Sequence, residues 1–261
     1  KYLEYCNKVS NLKKKINLTG QKLNITNNIT NLSGEGENGN YFNIENYDLN
    51  MISTGKIKNI FCYTHIIDGK SAKFSQNKCD NNYKNLMDIL NNITTNFNII
   101  FHNSDGHFLS NRVELLNIPN LNKIFTQNIT IEPRERIIPL PIGIANSMWK
   151  HGDLNIWKQI LENNSLVNKP NSIYFNFNIN TNTIKRKKCY DVIRSKNIPN
   201  LPNTNYLNYL KMLSSYKFAI CPEGNGLDTH RFWECLYLKV IPICLKNHIT
   251  EYYSKNFPIV L

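Results

Sequence analysis

Several motifs that would place a chain of this length in a common enzyme class are missing. The phosphate-binding pattern G-x-x-x-x-G-K-[ST] does not occur. The nearest approach to the dinucleotide fingerprint G-x-G-x-x-G lacks its third glycine, because Thr229 occupies that position. No apolar run approaches the roughly 20 residues that a membrane-spanning helix needs, and no signal peptide is visible. These absences exclude a P-loop enzyme and predict no membrane-spanning segment within the sequence.

The cysteines also lack a recognised pairing pattern. The chain has seven, an odd number, and none is spaced as C-x-x-C. Free, mostly buried thiols are the simplest interpretation, which suits a reducing compartment and predicts a cytoplasmic protein. The chain starts at Lys1 and stops inside the strand-like FPIVL, so we expect both ends to be cuts and a helix to follow that strand. A membrane or Golgi anchor in a missing terminal segment stays open.

The composition is that of a folded, basic protein. Of 261 residues, 41% are hydrophobic and 11% aromatic, which is typical of a globular chain. The net charge of +12 favours anionic partners such as nucleotides, acidic glycans or nucleic acid. An Asn-, Lys- and Ile-rich composition from an AT-rich genome explains part of the same charge. The charge is spread out and no basic-aromatic module is present, so a nucleic-acid binder is the weaker interpretation.

Strand-like and helix-like segments divide the chain into three parts. Residues 1–55 predict a helix (1–18) followed by a polar, Asn-rich loop (19–50). Residues 56–150 predict a small α/β domain, with a helix at 81–93 and strands at 58–67, 98–102, 121–125 and 137–138. Residues 151–261 predict a second α/β domain, with strands at 172–177, 217–221 and 240–244 and helices at 154–166, 184–196, 206–216 and 228–238.

The most informative stretch is YKFAICPEGNGLDTHRFWECLYLKVIPICL, residues 216–245. It predicts a buried strand, a glycine-containing turn, a helix and a second buried strand, an arrangement that implies parallel strands. Gly224 and Gly226 permit positive φ and close approach of a ligand, and Asp228 is the predicted N-cap of the helix. The turn's N–H groups and the helix start predict an anion site at the carboxyl edge of the sheet.

Arg231 and Glu234 are three residues apart and share one face of that helix. A guanidinium can neutralise a diphosphate through a fork-like contact, and a carboxylate one turn further can accept two hydrogen bonds from a ribose diol. The pair therefore suits a nucleoside diphosphate. An ordinary helix start with an Arg–Glu surface pair explains the same spacing, and spacing alone leaves both interpretations open.

The same segment resembles the C-terminal signature of exostosin-like glycosyltransferases, close to a form common in large DNA viruses. The family pattern is roughly P-x-G-x-G-x-D-x-x-R-x-W-E, a short spacer and I-P-[IV]. It is matched in order and spacing by Pro222, Gly224, Gly226, Asp228, Arg231, Trp233, Glu234, Ile241 and Pro242. Residues 137–153 and 173–191 are also similar, so the resemblance covers about the last half of the chain. One departure is Lys239, where many members have glycine at the helix C-cap.

The resemblance implies an α/β fold of GT-B type, in which two Rossmann-like domains face each other across a cleft, here with the C-terminal end cut. It also implies a nucleotide-sugar donor held by the C-terminal domain. No D-x-D occurs, which argues against the other main glycosyltransferase architecture and predicts a reaction without metal or other cofactor. Expected partners are a UDP- or GDP-sugar and a glycan or glycoconjugate acceptor, with no nucleic acid; for a viral protein the compartment would be the host cytoplasm.

The predicted donor-binding residues come from two segments. From the signature they are Glu223, Gly224, Asn225, Gly226, Asp228, His230, Arg231 and Glu234. From the loop after the strand at 172–177 and the basic helix that follows, they are Asn178 and Arg186, which could grip the diphosphate from a second side. A solvated basic helix face explains the same cations.

The acceptor alcohol needs a base to take its proton. Asp105 and His107, which follow a predicted strand end in the first domain with His102 and Ser104, are the predicted candidates, with Arg231 stabilising the leaving diphosphate. An Asx-turn at Asp105 explains the same residues. His151 and Asp153 are further candidates for the base, or they cap the following helix. Trp149 and Trp157 are expected to be packing residues, with platforms for a sugar ring as the less favoured alternative.

The leading hypothesis is thus a metal-independent glycosyltransferase that moves a sugar from a nucleoside-diphosphate donor to a hydroxyl acceptor. A degenerate transferase that keeps the nucleotide pocket without catalysing transfer is the main alternative. Donor hydrolysis separates the two.

Overall fold

The computed structural model of the chain describes residues 29–31, 58–68, 76–102, 104–146, 149–163 and 169–261. These residues form two compact units, one ending at Pro141 and the other beginning at Ile142. The predicted domain division lay after residue 150. The predicted helix at 1–18 and most of the predicted loop at 19–50 lie outside the described residues.

The unit that ends at Pro141 contains a five-stranded, fully parallel sheet. In spatial order its strands are β1 (Ile29–Asn31), β2 (Asn59–Tyr63), β3 (Phe97–His102), β4 (Leu121–Thr126) and β5 (Ile137–Pro139). Its helices are α1 (His65–Asp68), α2 (Gln76–Asn91) and a 3₁₀ helix at Ser110–Asn117. Strand β3 alternates buried and half-buried residues, so Phe97, Ile99 and Phe101 enter the core on one face.

Two predictions for this unit are wrong in detail. The strand predicted at 58–67 ends at Tyr63, because the carbonyl of Thr64 accepts hydrogen bonds from the amides of Ile67 (3.0 Å) and Asp68 (3.1 Å) and begins α1. Strand β1 lies inside the segment predicted as loop and pairs in parallel with β2. The polar sequence of β1 gave no strand signal, because its partner strand lies some thirty residues further along the chain.

The unit that begins at Ile142 contains a second parallel sheet, in the order β6 (Asn171–Tyr174), β7 (Tyr216–Ile220) and β8 (Ile241–Ile243). Its helices are α3 (Leu154–Asn163), α4 (Thr183–Arg194), α5 (Tyr206–Ser214), α6 (His230–Tyr237) and α7 (His248–Ser254). The sheet and helices enclose a core of Ile144, Trp157, Ile160, Tyr174, Leu210, Leu213, Ala219, Cys221, Cys235, Leu238 and Val240. The predicted mixed α/β class with parallel strands is confirmed for both units.

The chain's last residues add to the β8 edge of this sheet. Val260 forms a parallel bridge with Ile243, its amide donates to the carbonyl of Pro242 (3.0 Å), and its carbonyl accepts from the amide of Cys244 (2.9 Å). The predicted strand at FPIVL is thus a single bridge. Among the cysteines of the described residues, Cys62, Cys189, Cys221, Cys235 and Cys244 are free thiols, as expected. None of the helices described has the length and apolarity to span a bilayer.

Helix α6 ends in a Schellman motif around Lys239. The amide of Val240 donates to the carbonyl of Cys235 (2.8 Å) and the amide of Lys239 to that of Leu236 (3.2 Å). This geometry puts Lys239 in the left-handed region, with φ of 57°. Lysine carries a Cβ and glycine does not, so Lys239 holds a conformation that glycine adopts at lower cost.

We therefore expect Lys239→Gly to stabilise the protein by about 1 kcal/mol. Urea unfolding of the variant and the wild type measures the difference. Asn197→Gly is the matched control, because Asn197 also has a positive φ (58°) but asparagine tolerates it well. An equal or smaller gain for Lys239→Gly than for the control would contradict the assignment of strain to Lys239.

Candidate functional site

The predicted site lies at the carboxyl edge of the three-stranded sheet. Strand β7 ends at Ile220 and leads through the turn at residues 221–229 into α6, while β6 ends at Tyr174 and leads through residues 175–182 into α4. Because β6 and β7 are parallel neighbours, these two connections emerge at the same edge. The structure thus brings the loop at Asn178 and the basic start of α4 to the glycine turn, as predicted.

The turn is held by side chains from the second connection. Asn182 donates to the carbonyl of Gly224 (2.9 Å), and the Nε of Arg186 donates to the carbonyl of Glu223 (2.8 Å). Neither Gly224 nor Gly226 has a positive φ, which corrects that prediction. A Cβ on Gly224 would lie 3.1 Å from a terminal nitrogen of Arg186, so this glycine gives the guanidinium room beside the turn.

Some groups of the turn that were predicted to bind an anion instead make contacts within the protein. The amide of Gly224 donates to the carbonyl of Gly226 (3.0 Å) and is used within the turn. Glu223 is buried; its carboxylate pairs with Lys185 and accepts a hydrogen bond from Asn247 (2.9 Å). Asn225 is the one exposed residue of the run 221–226. These contacts make the turn a rigid support for the arginine beside it.

Two guanidinium groups meet at this edge. Arg186 donates through NH1 to the carbonyl of Asn178 (2.8 Å) in addition to its bond to the turn. Arg231 donates to the carbonyl of Asn176 and, through Nε, to the hydroxyl of Tyr209 (3.2 Å). Burial lowers the pKa of Arg186 below its ordinary value, and the positive charge of Arg231 lowers it further. Both guanidinium groups thus donate to carbonyls of the same loop, two residues apart after β6.

In the described part of the chain, no ion pair joins either guanidinium to a carboxylate. Instead, Arg231 lies near the rings of Tyr209 (5.3 Å) and Tyr174 (5.6 Å). Helix α6 starts beside them, and its N-cap residue Thr229 makes no side-chain capping bond. Two cations and an uncapped helix start favour an anion at this position.

Glu234 lies one turn further along α6 and is only 4% exposed. Its Oε1 accepts from the hydroxyl of Tyr206 (2.9 Å) and its Oε2 from that of Tyr209 (2.5 Å). Tyr206 in turn accepts from the indole N–H of Trp157 (3.1 Å). The predicted common face of Arg231 and Glu234 is confirmed, but the two share the hydroxyl of Tyr209 and form neither a surface pair nor an open ribose contact.

Asp228 is not the N-cap of α6; the N-cap is Thr229. The carboxylate of Asp228 accepts from the indole N–H of Trp233 (2.9 Å) and from the amide of Ile142 (2.8 Å). Burial raises its pKa to about 6, against the effect of these hydrogen bonds. Asp228 is 6% exposed, and its carboxylate connects Ile142, at the start of this unit, to Trp233 on α6.

His230 faces a different group of residues. Its Nδ1 lies 2.8 Å from the carbonyl of Gly143, to which it donates. Its ring is 6.1 Å from that of His151, and the His151 ring stacks on Trp149 at 6.2 Å. Trp149 is 56% exposed, so the prediction that it is a packing residue is wrong; Trp157, which is 4% exposed, fulfils the same prediction.

Asp153 caps α3, because its carboxylate accepts from the amide of Asn155 (2.8 Å). This confirms the capping interpretation for Asp153. His151 makes no such contact with α3 among the bonds described, and it stays a candidate base.

The predicted base residues Asp105 and His107 lie in the other unit, after β3. Asp105 is exposed, and the hydroxyl of Ser104 beside it accepts from the amide of Gly106 (3.3 Å), which is an ST-turn. His102 is 2.9 Å from the carbonyl of Pro141. His107 lies 3.7 Å from the buried carboxylate of Asp68, a partner that the sequence did not indicate.

Sequence reasoning missed three residues that support the site: Tyr206, Tyr209 and Asn247. The spacing of Tyr206 and Tyr209 on one face of α5 was an available signal. Their partner, Glu234, is too distant along the chain for spacing to identify.

Comparison of the chain with models of known protein families and with curated protein sequences found no match.

Proposed function

We propose that this protein is a glycosyltransferase that uses a nucleoside-diphosphate sugar, with the two units as the Rossmann-like domains of a GT-B enzyme. The observation that carries the proposal is the pair Arg186 and Arg231, which share one sheet edge without a carboxylate partner in the described residues. Two fork-shaped cations beside a helix start suit a diphosphate better than a single phosphate or a carboxylate. The carboxyl edge of a parallel sheet is where such ligands bind in open α/β folds.

The proposed chemistry follows from this charge. Departure of the sugar leaves an extra negative charge on the diphosphate, and guanidinium groups already in place stabilise that charge without reorganisation. Glu234 contributes by holding Tyr209, which accepts from Arg231. We propose this supporting role in place of the direct ribose contact predicted for Glu234, since both of its carboxylate oxygens accept hydrogen bonds from tyrosine hydroxyls.

The test is calorimetric titration with UDP, GDP and the matched nucleosides uridine and guanosine, each with and without EDTA. We expect one diphosphate to bind, its nucleoside to bind far more weakly, and EDTA to leave the affinity unchanged. At a ligand concentration of 100 times the Kd, the bound protein should gain about 2.7 kcal/mol of stability. Equal affinity for nucleoside and diphosphate would contradict the anion site, and loss of binding in EDTA would contradict metal independence alone.

A donor-binding protein without catalytic activity predicts the same titrations. Hydrolysis of the corresponding nucleotide sugar distinguishes the two, because a transferase releases sugar to water slowly in the absence of its acceptor. Binding of the nucleotide without hydrolysis or transfer would support a donor-binding protein without catalytic activity.

A further inference from the structure

Four rings form a cluster on the His230 side of α6: Trp149, His151, Tyr206 and His230. The His151 ring is the centre, at 6.2 Å from Trp149, 6.4 Å from Tyr206 and 6.1 Å from His230. Tyr206 continues the contact into the protein through Glu234. Unbroken contacts therefore run from His151 to Arg231 through Tyr206, Glu234 and Tyr209, all within one unit.

A tight turn holds His151 in this cluster. The amide of Trp149 donates to the carbonyl of Asn146 (2.9 Å), and the amide of Gly152 donates to the carbonyl of Trp149 (2.8 Å). A Cβ on Gly152 would lie 2.0 Å from the oxygen of Asn146, a distance that no side chain tolerates. Glycine after His151 is therefore required for this turn, and the turn directs the histidine toward Tyr206 and His230.

The exposed surface of the cluster is amphipathic. Trp149 is 56% exposed and presents an indole, whereas the other two tryptophans, Trp157 and Trp233, are 4% and 5% exposed. His230, beside His151, donates from Nδ1 to the carbonyl of Gly143. Partial burial lowers the pKa of His151, and the charge of His230 lowers it further, while Glu234 acts in the opposite direction. A neutral imidazole next to an aromatic surface can accept a proton from a bound alcohol.

We propose that the Trp149–His151 surface binds the acceptor, a sugar ring stacked on Trp149, and that His151 is the base that deprotonates its hydroxyl. This rests on the proposed function for its donor. The acceptor O–H bond breaks and its proton passes to an imidazole nitrogen of His151, while the acceptor oxygen bonds to the anomeric carbon of the donor. The bond from that carbon to the diphosphate breaks, and its electron pair leaves with the diphosphate beside Arg186 and Arg231.

Binding is tested by tryptophan fluorescence with methyl glycosides of the common hexoses, pentoses and N-acetylhexosamines as probes. Because Trp157 and Trp233 are buried, the exposed indole dominates any quenching, and Trp149→Phe should remove the signal. We expect at least one glycoside to quench and uridine and guanosine not to. Quenching by a nucleoside alone would assign Trp149 to the donor base, and quenching by none of the probes would overturn the acceptor site.

The base is tested with His151→Asn, compared with His107→Asn and Asp105→Asn from the other unit. His248→Asn is the matched control, since His248 is exposed at the start of α7 and belongs to neither site. We expect His151→Asn to lower nucleotide-sugar turnover by about 10² to 10⁴-fold and to leave the nucleotide Kd within about twofold. The wild-type rate should fall as the pH drops through the pKa of His151, and the rate of the variant should not show this pH dependence.

The outcomes separate this inference from the proposed function. Failure of UDP and GDP to bind would remove the donor site, while glycoside quenching would still report on Trp149. Intact nucleotide binding with full turnover in His151→Asn, or with turnover lost only in His107→Asn or Asp105→Asn, would overturn the role of His151. Nucleotide binding without any wild-type turnover would overturn it as well.

Discussion

Replacing either guanidinium at the sheet edge, by Arg186→Gln or Arg231→Gln, is expected to weaken nucleoside-diphosphate binding by about 1.5–3 kcal/mol, roughly 10- to 150-fold in Kd. The reason is the loss of a charge-assisted contact in a place where the two cations have no carboxylate partner among the described residues. Calorimetry with UDP or GDP measures the change. Added salt should reduce this loss of affinity less than it would for an exposed cation, because both arginine side chains are partly buried.

The matched control is Arg194→Gln, which removes an exposed arginine from the end of the same helix, α4. It should change the nucleotide Kd by less than about twofold, since an exposed charge has little effect beyond a Debye length. The double variant should lose less than the sum of the single losses, because in the proposed site both groups contact one anion. A fall in melting temperature with unchanged Kd in both single variants would show that the pair only stabilises the turn, and the donor site would be lost.

Asp228→Asn is expected to change how stability depends on pH. In the folded protein burial raises the pKa of Asp228 from 3.8 to about 6, so the folded state binds a proton more tightly than the unfolded state. The sign follows directly: wild-type stability from this group is highest below pH 4 and is lost as pH rises from about 4 to about 6. A shift of about two units corresponds to about 3 kcal/mol. The asparagine variant cannot titrate and should lack this component.

Urea unfolding between pH 4 and pH 8 measures the two profiles. The amide side chain of the Asp228→Asn variant keeps one oxygen to accept from Trp233 and Ile142, so the variant should fold. Asp191→Asn, at an exposed position on α4, is the matched control. Parallel profiles for the wild type and Asp228→Asn would show that the carboxylate is not destabilised by burial, and that its hydrogen bonds outweigh the loss of water.

Local pattern was sufficient to predict the main elements around the site. The apolar runs at 217–221 and 240–244, separated by a glycine turn and one amphipathic helix, predicted β7, α6 and β8, and their close succession predicted parallel pairing, which is confirmed. The same reasoning predicted that the loop at Asn178 and the cations of α4 join the turn. It overextended the first strand at 58–67, because nothing in an apolar run shows where a helix-starting carbonyl interrupts it.

The roles of individual side chains were harder to predict. Spacing placed Arg231 and Glu234 on one face, and that was correct, but it could not show that Tyr206 and Tyr209 on α5 cover that face. Likewise, aspartate is a common N-cap residue, yet the carboxylate of Asp228 accepts hydrogen bonds from the indole of Trp233 and the amide of Ile142. A buried carboxylate takes the donors that the fold supplies, whatever its local propensity.

The sequence by itself therefore determined the α/β class, the parallel order of β7 and β8 and the sheet edge that carries the candidate residues, because these depend on periodicity and connection length. Only the tertiary structure decided that Arg186 and Arg231 donate to the same loop after β6, that Glu234 holds two tyrosines, and that Trp149 is exposed beside His151. Each of these contacts joins residues from separate turns or elements. Local pattern sets the face on which a side chain lies, and packing between elements sets what that face meets.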